Sequence, residues 1–443
     1  MSLFGIIAGL AVLVILTYKN MSILWVAPIA ALVVAILGKL NLLDAYLVNY
    51  MTGFGNYAKS WFPIFMLGAI FGKLMDITGA ARAIGKWLSS FMGPKLAIAA
   101  VVITCGLLTL GGISLFVVVF VMYPLGIELF REANISRRLL PGAIAAGAFT
   151  FSMTAIPGSP QLTNIIPTQY FGTTATAAPI IGSVCAIIMA ACSILWLQYR
   201  AKKFAARGEV FTEPTNLKAV DPNETLPAWF LALIPPVVTI ILYNVINHIP
   251  RLGLNTTQSL VIGLLVGIVL LLALFFKRLG SFKDFVSTIN EGAHGSMAAI
   301  LNTSAGVGFG AVVQAVPGFQ TLAGIMTGAT GMPPLLAEAI GINVLAGATG
   351  SSSGGLSIGL SALQDQLLAA SASSGISVEA FHRVASIAAG GLDSLPQCGA
   401  VITLLAVCGL TNKDSYADIG MCCCVFPIFA CIVAIILGSI GIV

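Results

Sequence analysis

The sequence predicts an all-α membrane protein with about 12–14 transmembrane segments in two inverted repeats that contain broken helices or hairpins. Hydrophobic residues make up 58% of the 443 residues and charged residues only 8%, whereas a soluble domain carries about 25% charged residues. The apolar residues come in continuous runs of the length that a bilayer core requires, not in the alternating pattern of a membrane β-barrel. In addition, two short motifs of the first half recur in the second half.

The apolar runs give the candidate spans in chain order. Leu3–Leu16 is interpreted as the first span rather than as a signal peptide, because no basic residue precedes it and no small-residue cleavage site follows it. The remaining runs of the first half are Ile23–Leu40, Trp61–Met75, Leu96–Leu129 with an interruption at Gly111-Gly112, Leu140–Ile156 and Ile180–Tyr199. Those of the second half are Pro227–Asn247, Leu260–Phe276, Ala298–Val316, Leu335–Ala346, Leu356–Leu368, Val384–Leu410 and Met421–Val443. We therefore predict a first transmembrane repeat at residues 1–200, a cytoplasmic polar linker at 201–225 and a second transmembrane repeat at 226–443.

The charged residues indicate how the chain is oriented in the membrane. Basic residues cluster between apolar runs at Arg82, Lys86 and Lys95, at Arg200, Lys202, Lys203 and Arg207, and at Lys277, Arg278 and Lys283. The positive-inside rule places these segments on the cytoplasmic side of a bacterial inner membrane. We therefore expect a multi-pass protein whose partners are lipid and a small solute rather than nucleic acid. The histidines, His248, His294 and His382, lie near the ends of apolar runs, which indicates positions at the membrane interface.

The internal repeat rests on motifs that occur in the same order in both halves. Gly111-Gly112-Ile113-Ser114-Leu115 resembles Gly354-Gly355-Leu356-Ser357-Ile358, and Ile144–Gly147 reads the same as Ile387–Gly390. Both pairs are separated by 243 residues (354 − 111 and 387 − 144). The span count directs the runs Trp61–Met75 and Ala298–Val316 oppositely across the bilayer. Inverted repeats of this kind are common in secondary transporters.

Each half contains a helix break at membrane depth. The run Leu140–Ile156 enters Pro157–Asn164, which holds two prolines and a glycine, and Gly390–Gln397 makes the equivalent break in the second half. Unwound backbone inside a bilayer is tolerated where protein buries it or where it lines a polar cavity. Carbonyl and hydroxyl groups there suit a small cation or a substrate's hydroxyls, and the N–H groups at the start of a half-helix suit a carboxylate. A proline kink between packed helices is the alternative, and the occurrence of two equivalent breaks disfavours it.

Other polar residues lie close to these breaks. Asp393 is an ionisable group far inside an apolar region, which is a functional hypothesis by default. The cluster Thr349–Gly355 has a counterpart in Thr109–Ser114, and its small residues fit close helix packing and a binding role equally well. Packing is favoured for Asn302-Thr303-Ser304. No Gly-Lys-Ser/Thr follows Gly354-Gly355, so nucleotide-driven transport has no support.

Two motifs at the breaks resemble the gluconate permease (GntP) family. They are Gly391–Gln397 followed by Gly399–Leu405, and Ile156–Gln161 followed by Asn164–Thr168. The resemblance covers essentially the whole chain. It implies the fold of the ion transporter superfamily, with helical hairpins at the site, a homodimer, and import of gluconate or related small hydroxy- or amino-acid anions, generally with protons. Because Ser152–Gln161 lacks the histidine of the sugar-acid permeases, the chain looks more like the relatives for 3-hydroxybutyrate.

The two breaks and the polar cluster supply the candidate site. The resemblance to the family also implies that substrate-binding residues lie in Ser152–Asn164 and Asp393–Gln397. The candidate substrate-binding residues are Ser152, Thr154, Gly158, Ser159, Gln161, Thr163, Asn164, Ser352, Ser353, Ser394 and Gln397. Asp393 is the candidate ion-coupling residue, because burial favours the neutral form of a carboxyl group and that form carries a proton. No cofactor or metal is expected, and the coupling ion is H⁺, with Na⁺ as the alternative. A channel and a membrane-bound enzyme are alternatives of a different class, and no nucleophile–base pair or metal-ligand spacing in the sequence favours the enzyme.

Overall fold

In the part of the chain that the computed structural model describes, the regular secondary structure is helical and no strand occurs. The described residues are 2–19, 21–93, 96–113, 115–214, 225–247, 249, 252–319, 332–396 and 398–443. The helices of the first half are α1 (Ser2–Tyr18), α2 (Ile23–Gly38), α3 (Leu42–Ile77), α4 (Ala80–Met92), α5 (Ala97–Leu110), α6 (Leu115–Glu132), α7 (Leu140–Ala148), α8 (Phe151–Thr154), α9 (Leu162–Phe171) and α10 (Pro179–Ala205). Those of the second half are α11 (Trp229–Asn247), α12 (Thr256–Phe275), α13 (Phe282–Ala315), α14 (Pro334–Thr349), α15 (Ser352–Ser374), α16 (Val378–Ala389), α17 (Gly399–Cys408) and α18 (Asn412–Ser439). The all-α prediction is confirmed.

Polar caps define where the third helix of each half begins. At the start of α3, the Asn41 side chain accepts a hydrogen bond from the backbone N–H of Leu43 at 2.9 Å. At the start of α13, Ser281 and Asp284 form a reciprocal capping box. These side chains satisfy N–H groups that the first turn of a helix leaves without partners. Both long helices therefore begin at caps that their own sequences encode.

Several helices have the length and composition of membrane spans. Six helices in the described part of the chain are long and apolar enough to cross a membrane: Leu42–Ile77, Pro179–Ala205, Trp229–Ile246, Thr256–Arg278, Phe282–Ala315 and Asn412–Ser439. Five more apolar helices, in α1, α2, α5, α14 and α17, are shorter, with 10–17 residues. The protein is thus a multi-pass membrane protein. The figure of about 12–14 crossings and the orientation remain predictions.

Some helix boundaries differ from the sequence prediction. The predicted spans Trp61–Met75 and Ala298–Val316 are only the C-terminal parts of α3 and α13, which begin at Leu42 and Phe282. Polar residues in the first turns of these helices lower the hydropathy without ending the helix, so a pattern of apolar runs misses them. The helices α4 and α9 were also not predicted as separate elements. The interruption of Leu96–Leu129 was predicted correctly, since α5 ends at Leu110 and Gly112 has a φ of +84°.

The helices follow the same order in the two halves. Helices α1 to α3 correspond in order to α11 to α13. Helices α5, α6, α7, α9 and α10 correspond in order to α14, α15, α16, α17 and α18, and the helix break follows α8 in the first half and α16 in the second. The glycine pairs, however, are not equivalent, because Gly111-Gly112 separates α5 from α6 whereas Gly354-Gly355 lies in the first turn of α15. Gly350, with a φ of +61°, stands at the junction that corresponds to Gly112. The shared order supports the predicted repeat, and its inversion across the membrane stays a prediction.

Apart from α4, which contacts helices of both, the helices pack as two groups with a cavity between them. The first, called the six-helix group, consists of α1 to α3 and α11 to α13, in which α3 packs along α13 and α1 along α2. A salt bridge of 2.9 Å between Lys73 and Glu291 joins α3 to α13. The second, called the hairpin group, consists of α5 to α10 and α14 to α18 and contains both breaks. Its close packing uses glycine, since a Cβ on Gly355 would clash with the backbone of Ala346 in α14.

Candidate functional site

A cavity of about 590 Å³ brings the two helix breaks together. Gln161 and Thr163 line it from the first break, and Asp393 and Ser394 line it from the second. The junction between α14 and α15 contributes Thr349–Gly354. Ligand cavities in proteins commonly have volumes of about 300–1,000 Å³. The cavity is therefore large enough for a small organic solute, and residues that are more than 200 positions apart in the chain meet in it.

The cavity wall formed by the hairpin group includes the N-termini of four helices. The lining residues at these ends are Leu115 of α6, Leu162 and Thr163 of α9, Ser352 to Gly354 of α15, and Gly399 and Ala400 of α17. The first N–H groups of a helix have no partner within the helix, and the helix dipole places partial positive charge there. Among the described lining residues, none is Lys, Arg or His. An anion in this cavity would therefore be held by backbone N–H groups and hydroxyl groups rather than by a basic side chain.

Asp393 is the carboxyl group of this cavity. Its side chain is buried, with 7% exposure, and it accepts a hydrogen bond from the Ser394 hydroxyl at 2.9 Å. The side chain of Ser352, the first residue of α15, lines the same cavity near this carboxyl group. Asp393 thus lies at the helix end whose donors a bound anion would use. The structure brings the predicted coupling residue together with Ser352, Ser353 and Ser394.

Four of the predicted residues lie behind the cavity wall and hold the first break in shape. The Ser159 hydroxyl donates to the Ser152 carbonyl at 2.8 Å, and the Ser152 hydroxyl donates to Gly147 at 2.6 Å. Thr154 donates to the Thr150 carbonyl at 3.1 Å. The carbonyl of Gly158 accepts hydrogen bonds from the Tyr243 hydroxyl and from Asn244. These groups are occupied by the protein itself, and they do not line the cavity.

Asn164 and Arg383 form the main clamp on the first break. Asn164, in the first turn of α9, donates to the carbonyls of Ser159 at 2.8 Å and Ala175 at 2.9 Å. The fully buried Arg383 of α16 donates to Asn164 Oδ1 at 2.7 Å, to Ala177 O at 2.7 Å and to Ala175 O at 3.3 Å. A residue of the second half therefore fixes the break of the first half. Because Asn164 and Thr163 are already helical, the first break is shorter than the predicted Pro157–Asn164.

Sequence reasoning missed Arg383. Arg383 stands immediately before the predicted run Val384–Leu410, and an ionisable residue at the edge of an apolar run was itself a signal of a functional position. His382 is fully buried within the protein, and its Nδ1 lies 2.6 Å from the Thr173 hydroxyl, while its predicted position at the membrane interface remains a prediction. His294 is exposed within α13. Gln397 and His248 lie outside the described residues.

The six-helix group forms the other part of the cavity wall. Its lining is mostly apolar, but α13 contributes Ser296, Asn302 and Thr303. The sequence favoured a packing role for Asn302-Thr303-Ser304. The structure instead places Asn302 and Thr303 at the cavity, while Ser304 is buried away from it.

Comparisons with known proteins decide the family. A sequence profile described as the GntP family permease matches residues 1–437. The chain belongs to the GntP permease family. The uncharacterized transporter YxjC of Bacillus subtilis (strain 168) is 38% identical to this permease over 455 residues, covering 95% of each chain. The crystal structure of the Alcanivorax borkumensis YdaH transporter, described as having an unusual topology, matches 90% of this permease and 88% of that chain with a TM-score of 0.59 at 12% identity.

These relationships define what the permease does in general terms. It is a membrane transporter of a small molecule and not an enzyme. The likeness to the YdaH structure, at 12% identity, shows that the fold is shared and nothing more. The more specific relation to permeases for 3-hydroxybutyrate remains a prediction.

Proposed function

We propose that this permease is a secondary active transporter that imports a small organic hydroxycarboxylate anion, such as gluconate or 3-hydroxybutyrate, together with protons. The observation that carries the proposal is the position of Asp393, buried in the same cavity as the N-termini of α15 and α17. Helix N-termini favour anions, and a buried carboxyl group is the simplest proton carrier that a cavity can contain. The two properties meet at one site.

Competition for hydrogen-bond donors provides the coupling. When Asp393 is ionised, its carboxylate occupies the Ser394 hydroxyl and competes with a bound anion for the Ser352 hydroxyl in the same cavity. A substrate carboxylate in the same cavity would face a like charge, which is costly at low dielectric. A proton on Asp393 removes that charge and frees the donors. Anion and proton therefore favour each other's binding, and by linkage this coupling is reciprocal.

The test is uptake into proteoliposomes by wild type and by Asp393→Asn. A proton gradient should drive accumulation of the anion in the wild type, whereas Asp393→Asn should lose gradient-driven accumulation because its amide does not titrate. Asp365→Asn is the matched control, since Asp365 is an exposed carboxylate of α15 outside the cavity. Unchanged accumulation in Asp393→Asn would exclude Asp393 as the coupling group.

Sodium is the alternative coupling ion. Carbonyl and hydroxyl oxygens at the two breaks suit a hard cation, and sodium would need no change in the protonation of Asp393. Uptake under a sodium gradient at equal pH on both sides separates the two couplings. Accumulation driven by sodium alone would replace the proton in the proposal and leave the anion site unaffected.

The arrangement of the chain in the membrane is part of the proposal. We place the two repeats at 1–200 and 226–443, inverted relative to each other, with the polar linker 201–225 on the cytoplasmic side of a bacterial inner membrane. A homodimer follows from the resemblance to the family. Labelling of single cysteines introduced in the linker, from either side of the membrane, tests the orientation, and the mass of the purified protein–detergent complex tests the dimer.

A further inference from the structure

Asn302 is the free polar side chain on the cavity wall of the six-helix group. Apolar residues of α3 and α12, such as Ile64, Phe65 and Leu264, form most of this wall. Gly68 and Gly295 add open space, because no atom lies within 4 Å of a Cβ built on either residue. Only α13 contributes side chains that can form hydrogen bonds to a solute among the described residues of this wall.

Of the three polar side chains of α13 that line the cavity, only Asn302 keeps all its donors and its acceptor without a partner among the described residues. The Ser296 hydroxyl donates to the carbonyl of Ala293 at 2.7 Å, and the Thr303 hydroxyl donates to the carbonyl of Ala299 at 3.1 Å. The half-buried Asn302 side chain forms no hydrogen bond with any described residue. Its amide therefore retains two donor hydrogens and an acceptor oxygen for a solute.

Asn302 also lies close to the proposed anion site. A Cβ on Gly306, one turn further along α13, would be 4.0 Å from Thr349 Cγ2. Thr349 ends α14 directly before the N-terminus of α15, where Ser352 lies. Four residues of helix rise about 6 Å, so Asn302 stands about one helical turn from the end of α15. A carboxylic acid of three or four carbons bound at that end has the length to reach the amide.

We propose that Asn302 recognises a hydroxyl group on the carbon chain of the substrate and so selects hydroxycarboxylates over the corresponding unsubstituted acids. The hydroxyl donates to Oδ1 of Asn302 and accepts from Nδ2. When an acid without the hydroxyl binds, this amide has no partner in a partly dehydrated site, so the permease binds that acid more weakly. The inference rests on the proposed function, because it assumes that the anion binds in this cavity.

The experiment compares acids that differ only in hydroxylation, using calorimetric binding to the purified full-length protein. The pairs are 3-hydroxybutyrate with butyrate, and gluconate with hexanoate. One neutral hydrogen bond changes affinity up to about ten-fold, so we expect the wild type to prefer one hydroxylated acid by about that factor. Asn302→Ala and Asn302→Leu should lose the preference by weakening the hydroxylated acid while the unsubstituted acid binds as before.

The control and the contrary outcomes separate this inference from the proposed function. Ser304→Ala, on the same turn of α13 but outside the cavity, should keep the full preference. A preference that survives in both Asn302 variants, or a wild type that binds both members of each pair equally, overturns the inference and leaves the anion transporter intact. A wild type that binds none of the four acids overturns both.

Discussion

Replacing Arg383 by methionine tests the clamp on the first helix break. Methionine approximates the length of the arginine side chain but has no donors. The change leaves two buried acceptors without their partner, namely Asn164 Oδ1 and the carbonyl of Ala177, whereas the carbonyl of Ala175 keeps its hydrogen bond from Asn164. Each unsatisfied buried acceptor costs about 1 kcal/mol or more, so the folded break should lose about 2 kcal/mol.

This loss acts locally, on the segment that presents the N-terminus of α9 to the cavity. A destabilisation of about 2 kcal/mol lowers the equilibrium constant for the ordered break by about 30-fold, and the apparent affinity falls in proportion to the competent fraction. We expect at least ten-fold weaker anion binding, together with a lower melting temperature. Arg383→Lys should recover only part of both, because an ammonium group cannot contact three acceptors with the geometry of the guanidinium.

The assay is calorimetric anion binding and thermal unfolding of the purified variants in the same detergent. Arg207→Met serves as the control, because Arg207 is exposed in the loop after α10, and such surface substitutions usually change stability by less than about 0.5 kcal/mol. Wild-type affinity and wild-type melting temperature in Arg383→Met would refute the clamp. A lower melting temperature with unchanged affinity would show that Arg383 stabilises the fold without positioning the break.

Two further substitutions probe the cavity volume and a buried carboxyl group. Gly295→Leu should reduce uptake at least ten-fold without loss of stability, because the new leucine side chain occupies open cavity space and leucine favours a helix over glycine by about 0.8 kcal/mol. Gly55→Leu, at an exposed open site of α3 outside the cavity, is the control and should transport normally. Equal uptake by the two variants would contradict the position of the solute. Glu338→Leu should raise stability by about 2 kcal/mol with transport retained, because Glu338 in α14 is 1% exposed and neither of its carboxyl oxygens has a hydrogen-bond partner among the described residues. A lower melting temperature, or loss of uptake, would show that this carboxyl group has a role.

The candidate site was partly predictable because its chemistry is local in the sequence. A proline–glycine break in an apolar run is improbable unless protein or a cavity accommodates its backbone, which identified the segments around Gln161 and Asp393. The same reasoning could not separate residues that face the cavity from residues that face away. Gln161 and Thr163 line the cavity, whereas Ser159 and Asn164, only a few positions away, satisfy backbone groups of the break.

The long helices show a similar division. Apolar runs identified the C-terminal parts of α3 and α13 because hydropathy reflects contact with lipid. Their N-terminal parts contain polar residues such as Lys59 and His294, and they are helical nonetheless. Glu291 is one of these residues, and its partner is Lys73 on the neighbouring helix. A sequence pattern does not contain that pairing.

The sequence by itself determined the membrane environment, the helical class, the family and the two breaks, because each depends on composition or on a short contiguous motif. The tertiary structure alone decided that both breaks open onto one cavity, that Arg383 of the second half holds the break of the first, and that Asn302 faces the solute space. These relations join residues far apart in the chain. They depend on helix packing and on which face each side chain presents, and neither property is encoded in local sequence.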